Sequence, residues 1–174
     1  MNDFIYQNAT KVYFGRDQLK NLSNELKLYG NKVLITYGGG TIKKIGLFDK
    51  VVNELNESDI EWLEFGGIEP NPRIETVNAA VALCKKENIE VLLPIGGGST
   101  IDATKAIAAG YYYDGDVWDL WTRKVRFNKA LPIIDILTLS ATRSETNMGG
   151  VISKMDTNEK LVYLILLFYQ RQLS

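Results

Sequence analysis

No histidine occurs anywhere in the 174 residues, and that absence removes whole classes of chemistry. Imidazole is the commonest transition-metal ligand and the usual general base near neutral pH. A Ser-His-Asp triad and every zinc site built on imidazole are therefore excluded within this sequence. Cysteine is nearly as scarce. Cys84 stands alone, so neither an intramolecular disulfide nor a thiolate metal centre can form, and a reducing cytoplasm is the expected setting. No loop is dense enough in Asp and Glu to suggest a carboxylate-only magnesium or calcium site. Charge of one sign is not in excess either. Lysine plus arginine (20) nearly cancel aspartate plus glutamate (21), so no long-range field favours nucleic acid or an anionic membrane. Met1 to Asn8 carry no basic n-region and no apolar h-region, so secretion is not expected. No apolar run approaches the roughly 20 residues of a membrane span.

What remains is an ordinary globular composition, 45% apolar and 24% charged, with length enough for one full core. Strand-like and helix-like stretches alternate. Lys11 to Gly15 reads as a short strand, and Asp17 is placed to cap a helix carrying Leu19, Leu22 and Leu26 on one face. Lys32 to Tyr37 has the continuous apolar character of a buried parallel strand. A helix is expected from about Thr41, with Phe48, Val51, Val52 and Leu55 inward, then a strand over Ile60 to Phe65. Asn71-Pro72 reads as a cap and first helical position, followed by Ile74, Val77, Val81 and Cys84 at helical spacing. Val91 to Ile95 is a strand, Thr100 to Ala109 an alanine-rich helix, and Leu131 to Leu139 a further strand. This alternation predicts an α/β fold, an open doubly wound parallel sheet of Rossmann-like type. Leu161 to Phe168 is an unbroken apolar run, readable as a buried strand, a helix turn or an exposed, aggregation-prone end.

Two glycine triplets follow strands. Gly96-Gly97-Gly98-Ser99 opens a helix, where backbone N–H groups and the helix N-terminus can receive a phosphate. Ser99 and Asp102 also have capping-box spacing. The plainer alternative is a tight turn before a capped helix. Tyr37-Gly38-Gly39-Gly40-Thr41 is the second triplet, and it lacks the carboxylate that pairs with the ribose hydroxyls of NAD(H). Thr41, Lys43 and Lys44 stand there instead, which leaves room and positive charge for the 2′-phosphate of NADP(H). A solvated lysine face is the alternative. Neither triplet has G-x-G-x-x-G spacing.

Phe65-Gly66-Gly67-Ile68-Glu69-Pro70-Asn71-Pro72, then Pro94 to Asp102 with Lys105, then Leu137 to Thr142 with Ser144, Glu145 and Asn147, occur in that order. Together they resemble the amino-terminal half of iron-containing alcohol dehydrogenases, nearest the NADPH-dependent butanol dehydrogenase and aldehyde reductase branch. The resemblance implies a dinucleotide-binding α/β domain over residues 1–160, of the type seen at the amino terminus of dehydroquinate synthase. It implies a partner helical domain that holds iron or zinc, and allows a homodimer. By carry-over, Gly97, Gly98, Ser99 and Asp102 serve the pyrophosphate. Gly38, Gly39, Gly40 and Thr41 face the adenosine ribose. Thr138, Thr142, Asn147 and Lys160 line the nicotinamide side. The expected cofactor is NADP(H), with NAD(H) possible, and the expected substrate a primary alcohol or aldehyde.

Two departures qualify the resemblance. Arg143 replaces a family glycine, which matters if that position needs a positive φ. After Lys160 the resemblance fades, and residues 161–174 read as an aberrant tail with the metal-binding domain missing. That pattern fits a shifted reading frame or a truncated gene. The expected state is therefore a cofactor-competent oxidoreductase fragment that is inactive alone. A non-catalytic nucleotide-binding module and a flavodoxin-like binder of another phosphorylated ligand are the competing readings. With no histidine and one cysteine, the purified chain is expected to carry no stoichiometric iron or zinc. Elemental analysis after desalting that finds about one tightly held metal per chain contradicts this.

Overall fold

The computed structural model describes residues 10–141, 143–147, 149–164 and 170–173. Its centre is made by the apolar runs. β2 (Lys32–Tyr37), β4 (Val91–Gly96) and β5 (Ile133–Leu137) lie side by side and parallel, and β4 is buried along its whole length. Strands covered on both faces have no solvent side, which is why they show no polar alternation. β3 (Glu61–Phe65) flanks β2, and β1 (Lys11–Tyr13) lies at the other edge beside β8 (Gln170–Leu173). The sheet order is β1-β8-β5-β4-β2-β3, with every neighbouring pair parallel. β6 (Gly149–Lys154) and β7 (Glu159–Leu164) form a separate antiparallel hairpin.

Side-chain alternation along the strands divides the core between two faces. Val33, Ile35, Val91, Leu93, Ile95 and Ile134 meet α1 (Leu22–Leu26), α2 (Thr41–Lys44) and α3 (Leu47–Glu57). Leu34, Leu92 and Ile133 meet α4 (Ile74–Glu87), α5 (Gly98–Gly110) and α6 (Trp118–Trp121) on the other face. The open doubly wound parallel sheet is thus as expected. α5 packs against both β4 and β6. Burial on opposite sides explains its small side chains, since alanines let sheet and hairpin both approach the helix axis.

Several local expectations change. The helix starting at Thr41 is two helices, because Gly46 takes a left-handed φ of 73° between them. Asp17 is itself left-handed, at φ 59°, and makes no capping side-chain bond; a short 3-10 helix over Gln18–Asn21 precedes α1. Asn71 does not cap α4. Its φ is 57°, the Pro72 carbonyl accepts the Ser153 N–H at 2.9 Å, and the helix starts only at Ile74 after Arg73. The hairpin therefore takes the backbone group that a cap at Asn71 would have needed. The Ser99–Asp102 capping box is also absent. Gly97 is the N-cap residue, which puts Ser99 inside the first turn.

The division at residue 160 falls within β7, so Leu161 to Leu164 belong to the hairpin. The rest of the apolar run, residues 165–168, lies outside the described residues. Among the described residues no helix is long and apolar enough to cross a membrane.

Candidate functional site

Parallel strands end at one edge, so the loops after β2, β4 and β5 meet there, where open α/β sheets bind ligands. After β4, a Cβ on Gly96 would lie 2.5 Å from Thr100 Oγ1. Only glycine lets the start of α5 pack down onto the strand end. The Ile101 N–H bonds the Gly97 carbonyl at 3.2 Å. The N–H groups of Gly98, Ser99 and Thr100 precede that first turn and have no helical acceptor. They form the positive end of a helix that runs from Gly98 to Gly110.

After β2, Gly40 adopts φ 84°, and a Cβ on Gly39 or Gly40 would meet no atom within 4 Å. Gly39 and Thr41 are exposed. The turn is held from behind: Gly67 N–H donates to the Gly38 carbonyl at 3.1 Å and Ile68 N–H to the Tyr37 carbonyl at 3.2 Å. A Cβ on Gly38 would lie 3.9 Å from Thr100 Oγ1, so the two glycine turns adjoin. Below them Thr36 and Thr104 share a buried hydroxyl bond of 2.6 Å. After β5, Thr138 N–H bonds the Gly96 carbonyl at 3.0 Å, and Leu139 lies beside Gly97. The result is an open shelf with orphan N–H groups and no carboxylate in either glycine turn.

Beside this shelf lies a buried polar cluster. The Lys105 side chain is fully buried on α5. Its ammonium donates to Ser144 O at 2.6 Å, Gly149 O at 2.7 Å and Asn147 O at 2.9 Å, and reaches Ser144 Oγ and Asn147 Oδ1 at 3.1 Å. Ser144 Oγ donates in turn to Asp102, whose other oxygen accepts Val151 N–H at 3.0 Å. Burial pushes the Lys105 pKa down to about 8, opposed by Asp102, Asp135 and Glu145. Burial raises Asp102, opposed by its bonds to Ser144 and Val151. Asp135, fully buried on β5, is held well above the usual carboxylate range by burial and by Glu145, with Lys105 opposing. Among the described residues neither of its oxygens has a hydrogen-bond partner.

The anticipated residues therefore divide. Gly38, Gly39, Gly40, Thr41, Gly97, Gly98, Ser99 and Thr138 gather at the sheet edge. Asp102 and Asn147 direct their oxygens into the buried cluster; Asn147 Oδ1 also accepts Gly149 N–H at 2.9 Å. Lys160 Nζ donates to Asn71 Oδ1 at 2.6 Å, which joins the hairpin to the loop after β3. Thr142 lies outside the described residues. Lys105 was visible only as part of a motif, although a lysine amid alanines on a helix is a signal of its own. Asp135 gave none, because one acid in an apolar strand looks like an edge position. A groove of about 640 Å³ between Gln18 and Glu57 lies apart from the glycine turns and contains none of these residues.

A family model of iron-containing alcohol dehydrogenases matches residues 9–167. The chain is 53% identical over 160 residues to the probable NADH-dependent butanol dehydrogenase 1 of Bacillus subtilis, covering 92% of this chain and 41% of that protein. It is 41% identical over 167 residues to the NADPH-dependent aldehyde reductase YqhD of Escherichia coli, covering 94% and 42%. The crystal structure of NADH-dependent butanol dehydrogenase A from Thermotoga maritima superposes with a TM-score of 0.92 at 42% identity, over 100% of this chain and 44% of that one. The chain spans about two fifths of the length of the curated relatives it matches.

Two tests follow from the cluster and its loop. The Lys105 pKa near 8 lies below its ordinary 10.5. Between those values the unfolded chain holds a proton that the folded chain has released, so this residue's contribution to stability grows as pH rises through the window. Below it both states are charged and the burial penalty stands in full. Urea midpoints should therefore climb with pH more steeply in the wild type than in Lys105→Met; parallel profiles refute the assignment. Arg143 has φ 57°, a left-handed conformation costing roughly 1–2 kcal/mol. That exceeds the roughly 0.4–1 kcal/mol that an unfolded glycine gains in freedom. Arg143→Gly should accordingly stabilise the chain by about 0.5–1 kcal/mol, and an unchanged or lowered urea midpoint contradicts it.

Proposed function

The chain belongs to the iron-containing alcohol dehydrogenases, and from that membership we propose that it is the dinucleotide-binding domain of an NAD(P)(H)-dependent alcohol dehydrogenase or aldehyde reductase. The observation that carries the reading is the meeting of two glycine turns at the carboxyl edge of β2 and β4, with the first N–H groups of α5, which have no acceptor within the helix, beside them. Such a shelf suits a pyrophosphate, because the helix N-terminus supplies partial positive charge and glycines carry no side chain of their own to cover the backbone. Gly97, Gly98 and Ser99 would receive the pyrophosphate. Gly38 to Thr41 would take the adenosine ribose, and Thr138, Thr142, Asn147 and Lys160 the ribose–nicotinamide side. Asp102 would serve through Ser144 and Val151, which its carboxylate holds. When bound, the nicotinamide supplies or accepts the hydride exchanged with a primary alcohol or aldehyde.

The relatives differ in cofactor by name, the Bacillus protein being called NADH-dependent and the Escherichia protein NADPH-dependent. The turn after β2 favours NADP(H) here. It has no carboxylate to repel a 2′-phosphate, Gly39 leaves open space, and Lys44 is exposed nearby.

The family's iron is a different matter. The chain has no histidine, and the Cys84 thiol is buried with its pKa pushed up to about 12. Among the described residues no three acidic or cysteine side chains gather as ligands. These residues do not fit the metal, so no step is assigned to it in this domain.

Titration calorimetry with both cofactors tests the assignment. NADPH should bind more tightly than NADH by roughly fivefold, the value of about 1 kcal/mol of added phosphate contact. Equal affinities or an NADH preference overturn the phosphate assignment. Failure of both cofactors to bind overturns the domain assignment.

A further inference from the structure

Lys43 is the first lysine after the turn that would take the adenosine ribose, yet its charge is already engaged. Its ammonium lies 2.6 Å from Glu64 Oε2 on β3, and the Tyr37 hydroxyl donates to the same oxygen at 2.8 Å. The ammonium also sits over two rings, 4.5 Å from the centre of Phe48 and 5.0 Å from that of Tyr37. Those rings are fixed in turn. Tyr37 meets Phe48 edge to face at 5.6 Å, Phe48 meets Trp62 at 6.0 Å, and a Cβ on Gly66 would lie 2.5 Å from the Tyr37 ring. Lys43 is thus drawn back across an aromatic bed toward the β3 edge. Glu64 stays ionised at neutral pH, since Lys43 and Tyr37 hold its pKa below the ordinary value.

NADP(H) differs from NAD(H) at this end only by a 2′-phosphate, so a nearby lysine discriminates only as far as its charge is uncancelled. We infer that Glu64 is a specificity-determining residue: it withholds Lys43 from the 2′-phosphate and so limits the preference for NADP(H) over NAD(H). The pair is half exposed, with 42% of each side chain accessible. A pair this exposed adds little to the stability of the fold, so a single substitution at Glu64 can release the lysine without disturbing the sheet. This inference rests on the placement of the adenosine ribose at Gly38–Thr41.

The experiment is calorimetric titration of NADPH and NADH into wild type, Glu64→Gln, Lys43→Ala and the double variant. Glu64→Gln keeps the shape at an exposed position, and an unchanged melting curve verifies its fold. It should tighten NADPH by about fivefold while NADH moves less than about twofold, the scale of one exposed charge contact. Lys43→Ala should leave the wild-type cofactor ratio nearly unchanged but abolish the gain when combined with Glu64→Gln. If Glu64→Gln alters neither cofactor or both equally, or if the gain survives loss of Lys43, the role of Glu64 is refuted while the domain assignment stands. If neither cofactor binds the wild type, the domain assignment falls and takes this inference with it.

Discussion

The ammonium of Lys105 is where the helical layer, the loop after β5 and the hairpin are joined. Taking a charge out of water costs several kcal/mol unless it is closely surrounded by acceptors. Here oxygens of Ser144, Asn147 and Gly149 surround it, three of them backbone carbonyls. A loop that must supply such acceptors cannot wander, because each displaced carbonyl would leave a buried charge under-solvated. Ser144 passes the constraint to Asp102, and Asp102 passes it to Val151 at the hairpin. The segment that borders the shelf is therefore positioned from beneath by electrostatics.

That arrangement works only because α5 is thin. Its alanines let the sheet lie on one side and β6 on the other, and Gly96 removes the Cβ that would lift its first turn off the strand end. The same approach that buries Lys105 brings the free N–H groups of α5 level with the turn after β2. The packing of α5 and the placing of its first turn thus follow from one set of small residues. Asp135 is the unresolved charge in this scheme. It lies in the sheet with no hydrogen-bond partner among the described residues, and burial favours its neutral form.

The shelf's two sides differ in electrostatic character. At the α5 end the positive potential comes from the backbone and cannot be neutralised by a side-chain pair. At the α2 end it comes from lysines, and Glu64 already compensates one of them. Under the proposed assignment, a pyrophosphate received by backbone and a ribose phosphate received by side chains would be separable requirements. Relatives named for NADH and for NADPH on the same fold fit that separation.

Much of this was legible in the order of residues. Continuous apolar runs at Val33–Ile35 and Val91–Ile95, each followed by glycines and a helix, determined a doubly wound parallel sheet with two glycine turns at one edge. The absence of histidine determined that no imidazole metal site forms within these residues. Helix starts were less legible. The cap expected at Asn71 and the capping box at Ser99 are correct local patterns, but the hairpin claims the Pro72 carbonyl and Gly97 ends the extended backbone first. Long-range pairing was not legible at all. Lys43 and Glu64 are 21 residues apart, and Lys105 and Ser144 are 39 apart. Periodicity reports which face a side chain takes, whereas the partner of a charge depends on which strands and loops the fold brings within about 3 Å. Sequence alone therefore determined where two glycine turns follow buried strands, and only the tertiary structure decided which charges beside them are paired.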